Sequence, residues 1–279
     1  MILKFALRVL AGWIVFVLAE MVSGMMLPIH IPMAPHSFRW LLASHLLAVA
    51  ALGWAGLRSG WPRIQLAAAF LALQFGIVLV NSVEGSFFLN TPGLSWPRII
   101  LSQAITQVIL AVGLSLLFGA STKSEHSAKE GWLGGWSAGK AIAMFVACDA
   151  VYLVLYFTAG MIIIPYIRDF YATQHIPPFR TIVALQLLLR GPVFVLLSIL
   201  LTRMLAVRKA ADALAVGLIF TTLTGITQLI IPNPFFPDAV RWAHFCEVGG
   251  SMLVFGFVVS LLWRHRDHKP AVQTVAAPA

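Results

Sequence analysis

The sequence predicts an all-α, polytopic membrane protein with eight transmembrane helices arranged as two parallel four-helix repeats. Three observations carry that prediction. First, 60% of residues are hydrophobic and 10% charged, with a mean hydropathy of +0.90, which is too apolar for a soluble domain of 279 residues. Second, eight apolar runs lie between charged or turn-forming residues, each near the ~20 residues that a helix needs to cross a ~30 Å hydrocarbon core. Third, short arginine-centred strings recur where every second run begins.

The runs are expected near residues 5–27, 38–57, 64–87, 98–119, 140–165, 180–202, 210–232 and 240–263. Helices are required because lipid offers no partner for open backbone groups, and the strands of a barrel would appear as short alternating segments. The first run follows Lys4 and Arg8, and Val17-Leu18-Ala19 resembles a signal cleavage site; its match to the fifth run argues instead for a retained helix. The second opens at Ser37-Phe38-Arg39-Trp40 and closes before Arg58, the third runs from Arg63 to Phe87-Phe88, and the fourth opens at Trp96-Pro97-Arg98-Ile99. Residues 121–139, rich in Gly, Ser and Lys, form a connector between a first unit (1–120) and a second (140–264). The fifth run follows Lys140, the sixth opens at Pro178-Phe179-Arg180-Thr181, the seventh follows Lys209, and the eighth opens at Ala239-Val240-Arg241-Trp242. A flexible tail, 265–279, closes the chain.

The repeat is legible in matched landmarks. Arg39 pairs with Arg180 and Arg98 with Arg241; Glu20 in Glu20-Met21-Val22-Ser23-Gly24 pairs with Tyr156 in Tyr156-Phe157-Thr158-Ala159-Gly160; Phe87-Phe88 pairs with Phe235-Phe236. Matched points lie 136 to 148 residues apart. An even number of helices per unit gives both units one orientation, hence a pseudo-twofold axis along the membrane normal.

Orientation follows from the basic residues. With a cytoplasmic N-terminus, Lys4, Arg8, Arg58, Arg63, Lys123, Lys129, Lys140, Arg203, Arg208, Lys209, Arg264, Arg266 and Lys269 lie inside, whereas only Arg39, Arg98, Arg168, Arg180 and Arg241 lie outside. Both termini are therefore expected in the cytoplasm of a bacterial inner membrane. The formal charge of +9 reflects this topology and attraction to anionic lipid heads, not a nucleic-acid partner. Cys148 and Cys246 fall at different depths, too far apart for a disulfide, and are expected as buried small residues.

Depth counting at ~1.5 Å per residue collects polar side chains into one outer-leaflet layer: Glu20, His45, Asn81, Glu84, Gln103, Tyr156, Gln186, Gln228, His244 and Glu247. Apart from Gln65, the inner halves carry no Asn, Gln, His or Glu, and Gln74 and Gln107 fall near the midplane. That asymmetry predicts one outward-facing polar cavity between the halves. His244 and Glu247, spaced i, i+3, share a helix face. With Glu20 or Glu84 they are candidates for a metal site or for proton exchange; alternatively, Glu20 or Glu247 pairs with an outer arginine. Arg39, Arg98, Arg180 and Arg241 either anchor to headgroups or form a rim attracting an anion, aided by His30, His36 and His175. Asp149 and Arg190, both near mid-membrane, are expected to form a buried ion pair.

No P-loop, Gly-x-Ser-x-Gly elbow, His-Glu-x-x-His motif or Cys-x-x-Cys pair occurs. The residues are read as a binding site or transporter for a small anionic or proton-coupled solute. Alternatives are a membrane-embedded enzyme acting on a lipid or quinone at the outer leaflet, with or without a metal, and an assembly subunit whose polar layer locks its helices. No cofactor is assigned; the expected partners are the bilayer and a small solute or lipid headgroup.

Overall fold

The structure is a computed structural model that describes residues 2–29, 34, 36–91, 93–120, 136–174, 176–233 and 235–264. Its described residues form eight helices long and apolar enough to cross a membrane: α1 (Ile2–Met26), α2 (Ser37–Ser59), α3 (Arg63–Phe88), α4 (Trp96–Phe118), α5 (Ala138–Tyr171), α6 (Phe179–Met204), α7 (Ala210–Leu229) and α8 (Asp238–Trp263). His30, His175, most of the connector and the tail from residue 265 lie outside the described residues.

The surface is the reverse of a soluble bundle. Along α1, Leu3, Leu7, Leu10, Ile14, Leu18 and Met21 recur every three or four residues and are all exposed. An apolar stripe of that length would be untenable in water and fits a lipid-facing side. The chain therefore fits an integral membrane protein.

Local signals set the ends. Gly60 takes a left-handed conformation (φ 60°) to close α2, and the Ser59 hydroxyl bonds back to the Gly56 carbonyl. Pro97 sits in the first turn of α4, where its missing N–H costs nothing. The Ser137 side chain accepts from the Lys140 N–H at the start of α5. Helix α5 departs from expectation: it runs through Pro165 to Tyr171 instead of ending at 165. A proline removes one backbone bond without stopping a helix whose neighbours hold it, and Ile163 and Ile167 pack on Val240 of α8 across that region.

Two segments are wound as π-helix, Gln186–Arg190 in α6 and Thr222–Ile226 in α7. In α6 the cause is Pro192, which cannot donate to the Leu188 carbonyl and would crowd it; the wider turn, with the Gly191 N–H on the Gln186 carbonyl, relieves the conflict. In α7, Thr222, Thr224 and Thr227 each donate a hydroxyl to the carbonyl four residues back, which loosens the backbone ladder.

Helix α4 packs on α1, α2 and α3, while α8 packs on α5, α6 and α7. Helices α2 and α3 then face α6 and α7 across the middle of the molecule. One hydrophobic core, including Leu52, Leu66, Phe70, Phe194, Leu201, Phe220 and Phe255, runs through both groups. Small residues allow the closest crossings: Gly53 and Gly56 of α2 accept Phe118 and Phe70, and Gly256 of α8 rests on Gly217 of α7. At the opposite end from the arginine strings, Arg58 of α2 bridges to Asp212 of α7 at 3.1 Å.

Candidate functional site

Among the described residues, the polar layer in the half of the bundle where the even-numbered helices begin lines two cavities, not the single one expected from depth. The first, about 350 Å³, is bounded by α1 to α4 and closed by α7; the second, about 240 Å³, is bounded by α5 to α8 and closed by α3. Asn81, Trp96 and Gln228 border both. The Asn81 amide donates to Gln228 Oε1 at 2.8 Å, so a hydrogen bond between α3 and α7 divides the layer into two chambers. Depth counting gave the layer but not the azimuth of each side chain, and azimuth decides how many chambers exist.

In the first cavity Glu20 Oε1 stands 3.2 Å from His45 Nε2, and the His45 ring stacks on Phe16 with centroids 4.0 Å apart. Gln103 borders it too, and Gln107 donates to Gln103 Oε1 at 3.4 Å. Ser44 fixes the far wall by donating to the Thr227 carbonyl at 2.6 Å. Ser23 and Ser102, hydroxyls 2.5 Å apart, tie α1 to α4 behind Glu20.

The second cavity is more highly charged. His244 Nδ1 meets Glu247 Oε2 at 2.7 Å, and His244 Nε2 meets the Tyr171 hydroxyl at 2.9 Å, forming a Tyr171, His244, Glu247 chain. Opposite, Arg190 Nη1 pairs with Glu84 Oε2 at 2.5 Å and Nη2 donates to Asn81 Oδ1 at 3.4 Å. Glu84 Oε1 also accepts from Gln186 Nε2 (2.9 Å) and the Tyr156 hydroxyl (3.5 Å), while Tyr152 donates to Gln186 Oε1 (2.7 Å). The guanidinium lies 5.1 Å from the Phe194 ring centre, a favourable cation–π geometry.

The structure thus places nine of the ten sequence-derived layer residues on a cavity wall; Gln186 is fully buried behind Glu84. Five expectations are corrected. Asp149 and Arg190 do not pair: Arg190 reaches Glu84, and Asp149 Oδ1 has no hydrogen-bond partner against Gly191. A count from Arg180 fixes only where Arg190 leaves its helix, and its long side chain reaches Glu84 of α3 instead. The arginine rim is not assembled either. Arg39, Arg98 and Arg180 are exposed and border neither cavity, as does exposed His36. Arg241 is buried, capping α7 through the Leu229 carbonyl (2.8 Å) and pairing with Asp238 (2.7 Å).

The metal set of Glu20, His244 and Glu247 is split, because Glu20 belongs to the first cavity and the other two to the second. Among the described residues no three His, Cys, Asp or Glu side chains converge to hold a metal ion. Neither Glu20 nor Glu247 takes an outer arginine; each takes a histidine. Cys246 is exposed on the outside of α8 while Cys148 is buried, and both are free thiols.

Sequence reading missed Tyr171, because the fifth run was ended at Pro165, and Trp96, which entered only as part of the string that opens the fourth run. Gln74, Gln107 and Ser44 were also outside the predicted set, although Gln74 and Gln107 had a signal in their mid-membrane depth. Compared with family models, curated proteins and solved structures, the chain gives no match.

Proposed function

We propose that the protein is a two-unit membrane transporter that moves a small solute with exchange of protons, its cavities opening to the outer face of a bacterial inner membrane with both termini in the cytoplasm. One observation carries the reading: each cavity holds its own histidine–carboxylate pair, Glu20 with His45 at 3.2 Å and Glu247 hydrogen-bonded to His244 at 2.7 Å, on either side of the Asn81 to Gln228 bond. Imidazole is the side chain best suited to exchange protons near neutral pH, and a bonded carboxylate orients it. The matching packing of the two units, α4 collecting α1 to α3 as α8 collects α5 to α7, supports the duplicated architecture. The excess of Lys and Arg on one side supports the orientation.

Of the two solute classes suggested by sequence, the anionic one loses its basis. The exposed arginines border neither cavity, and Arg190 is already neutralised by Glu84, so two carboxylates face one guanidinium in the second chamber. The aromatic lining of that chamber, Phe88, Trp96, Tyr156, Tyr171 and Phe236, supports the enzyme reading to the extent that a quinone or lipid fragment fits against it.

The test uses potassium-loaded liposomes containing the protein and a trapped pH dye, with valinomycin setting a negative interior. A panel of polyols, monosaccharides, amides and primary amines is added outside. At least one class is expected to accelerate proton entry, and Glu247→Gln to reduce that rate by ~10²-fold, the scale of a lost acid–base group. Proton entry no faster than in protein-free liposomes across the panel, or unchanged in Glu247→Gln, would overturn the proposal.

A further inference from the structure

We infer that the first cavity is a binding site for a neutral polyhydroxylated group, a polyol or a monosaccharide. The two chambers differ in chemistry. The second is built from ion pairs that satisfy one another, whereas the first is walled by amides and hydroxyls, Gln74, Gln103, Gln107 and Ser82 among them, with a single Glu20 and His45 pair.

Two groups in that wall are left open. His45 and Gln107 are 4% and 3% exposed, and His45 Nδ1 and Gln107 Oε1 have no hydrogen-bond partner. A buried polar atom without a partner is costly and rare in folded proteins, so both atoms point to a missing ligand or water. Their chemistry states what is missing. The Gln107 carbonyl is an acceptor, and in the tautomer that carries its proton on Nε2, 3.2 Å from Glu20, His45 presents Nδ1 as a second acceptor. The occupant must therefore bring donors while also accepting from the amide N–H groups of Gln74 and Gln103. Hydroxyl groups do both.

Charge excludes the neighbouring classes. Among the described residues no guanidinium or ammonium borders the first cavity to hold an anion, and the one carboxylate there already faces His45. Size agrees: at ~30 Å³ per water-sized group, about 350 Å³ holds on the order of a dozen non-hydrogen atoms, the scale of a hexose. Trp96 supplies an aromatic surface against which the C–H face of a sugar ring packs. The same chemistry belongs to a free sugar and to the glycosyl head of a lipid, and the experiment separates them. The assignment rests on the preceding reading only for onward movement of the solute, not for binding.

The experiment is equilibrium binding, with no gradient, to full-length protein in a detergent without a sugar head, read by Trp fluorescence and confirmed by melting temperature. Probes are neutral hexoses and polyols, the matching sugar phosphates and amino sugars, and a monoglucosyl diacylglycerol in mixed micelles. A neutral probe is expected to bind best, with Gln107→Leu weakening it at least about tenfold, since one open acceptor is lost. Gln107→Leu gives up the 3.4 Å bond to Gln103 but also removes a buried unpartnered acceptor, so it is expected to melt close to wild type. Glu247→Gln, in the other chamber, is expected to leave this affinity unchanged, which separates failure here from failure of the proton-exchange reading. Binding of the glucolipid alone would assign the site to a lipid head; binding of the free sugars would assign it to a solute. Tighter binding of the phosphates or amino sugars, no binding by any neutral probe, or affinity unchanged in both Gln107→Leu and His45→Phe would overturn the inference.

Discussion

Truncating Glu84 to alanine is expected to destabilise the protein by about 3–5 kcal/mol, the cost of leaving a buried charge without its partner. Arg190 is 8% exposed and makes its closest contact with Glu84, and its guanidinium cannot escape by losing a proton. What remains around it, Asn81 Oδ1 at 3.4 Å and the Phe194 and Tyr156 rings, does not replace a carboxylate. The loss spreads, because the Gln186 amide and the Tyr156 hydroxyl also donate to Glu84. Arg190→Met should cost less, since Glu84 can then take up a proton. The double variant Glu84→Leu, Arg190→Met should recover most of the loss, because the pair mainly offsets its own desolvation. Unfolding of the purified protein in mixed micelles, followed by circular dichroism, gives the three values. A Glu84→Ala loss under ~1 kcal/mol, the size of an exposed pair, would mean that water reaches Arg190 freely.

The second large effect is expected at Gly217. A Cβ there would stand 2.6 Å from the Leu253 carbonyl oxygen and 3.2 Å from the Phe257 nitrogen, both backbone atoms of α8. Side chains can rotate away from an intruder, but a helix backbone cannot, so valine at this site must push α7 off α8. Overpacking costs ~1–3 kcal/mol where neighbours yield, and Gly217→Val belongs at or above the top of that range. Gly24, with nothing within 4 Å of its Cβ position, is the control, and Gly24→Val should melt with wild type. Equal melting of the two variants would show that α7 and α8 do not cross as closely as described.

Helix number and a polar layer at one end of the bundle were legible because each rests on one-dimensional information. Hydropathy gives where a span begins and ends, and rise per residue converts position into depth. Chamber number and pairing were not legible because they depend on rotation about each helix axis and on side-chain reach. Asn81 and Gln228 were correctly at one depth, yet nothing in the spacing said that they meet and close a wall. Arg190 was assigned to Asp149 on Cα depth, whereas its length and the π turn before Pro192 carry it to Glu84. Arg241 shows the converse: its string matches Arg98, but only Arg241 is buried, because the end of α7 offers it open carbonyls. Similar strings thus mark similar positions in two helices while their arginines differ in use.

The central claim is that the polar layer lines water-filled chambers open to the outer face while the opposite helix faces meet lipid. Cysteine accessibility tests it most directly, in a Cys246→Ser background, since Cys246 is the exposed native thiol. Gln103→Cys samples the first chamber, Ser251→Cys the second, and Leu101→Cys the exposed apolar face of α4. With a membrane-impermeant maleimide, the first two should label in right-side-out vesicles and not in inverted ones, and Leu101→Cys in neither. Labelling of Gln103→Cys and Ser251→Cys only from the inverted side, or no faster than Leu101→Cys, would contradict it.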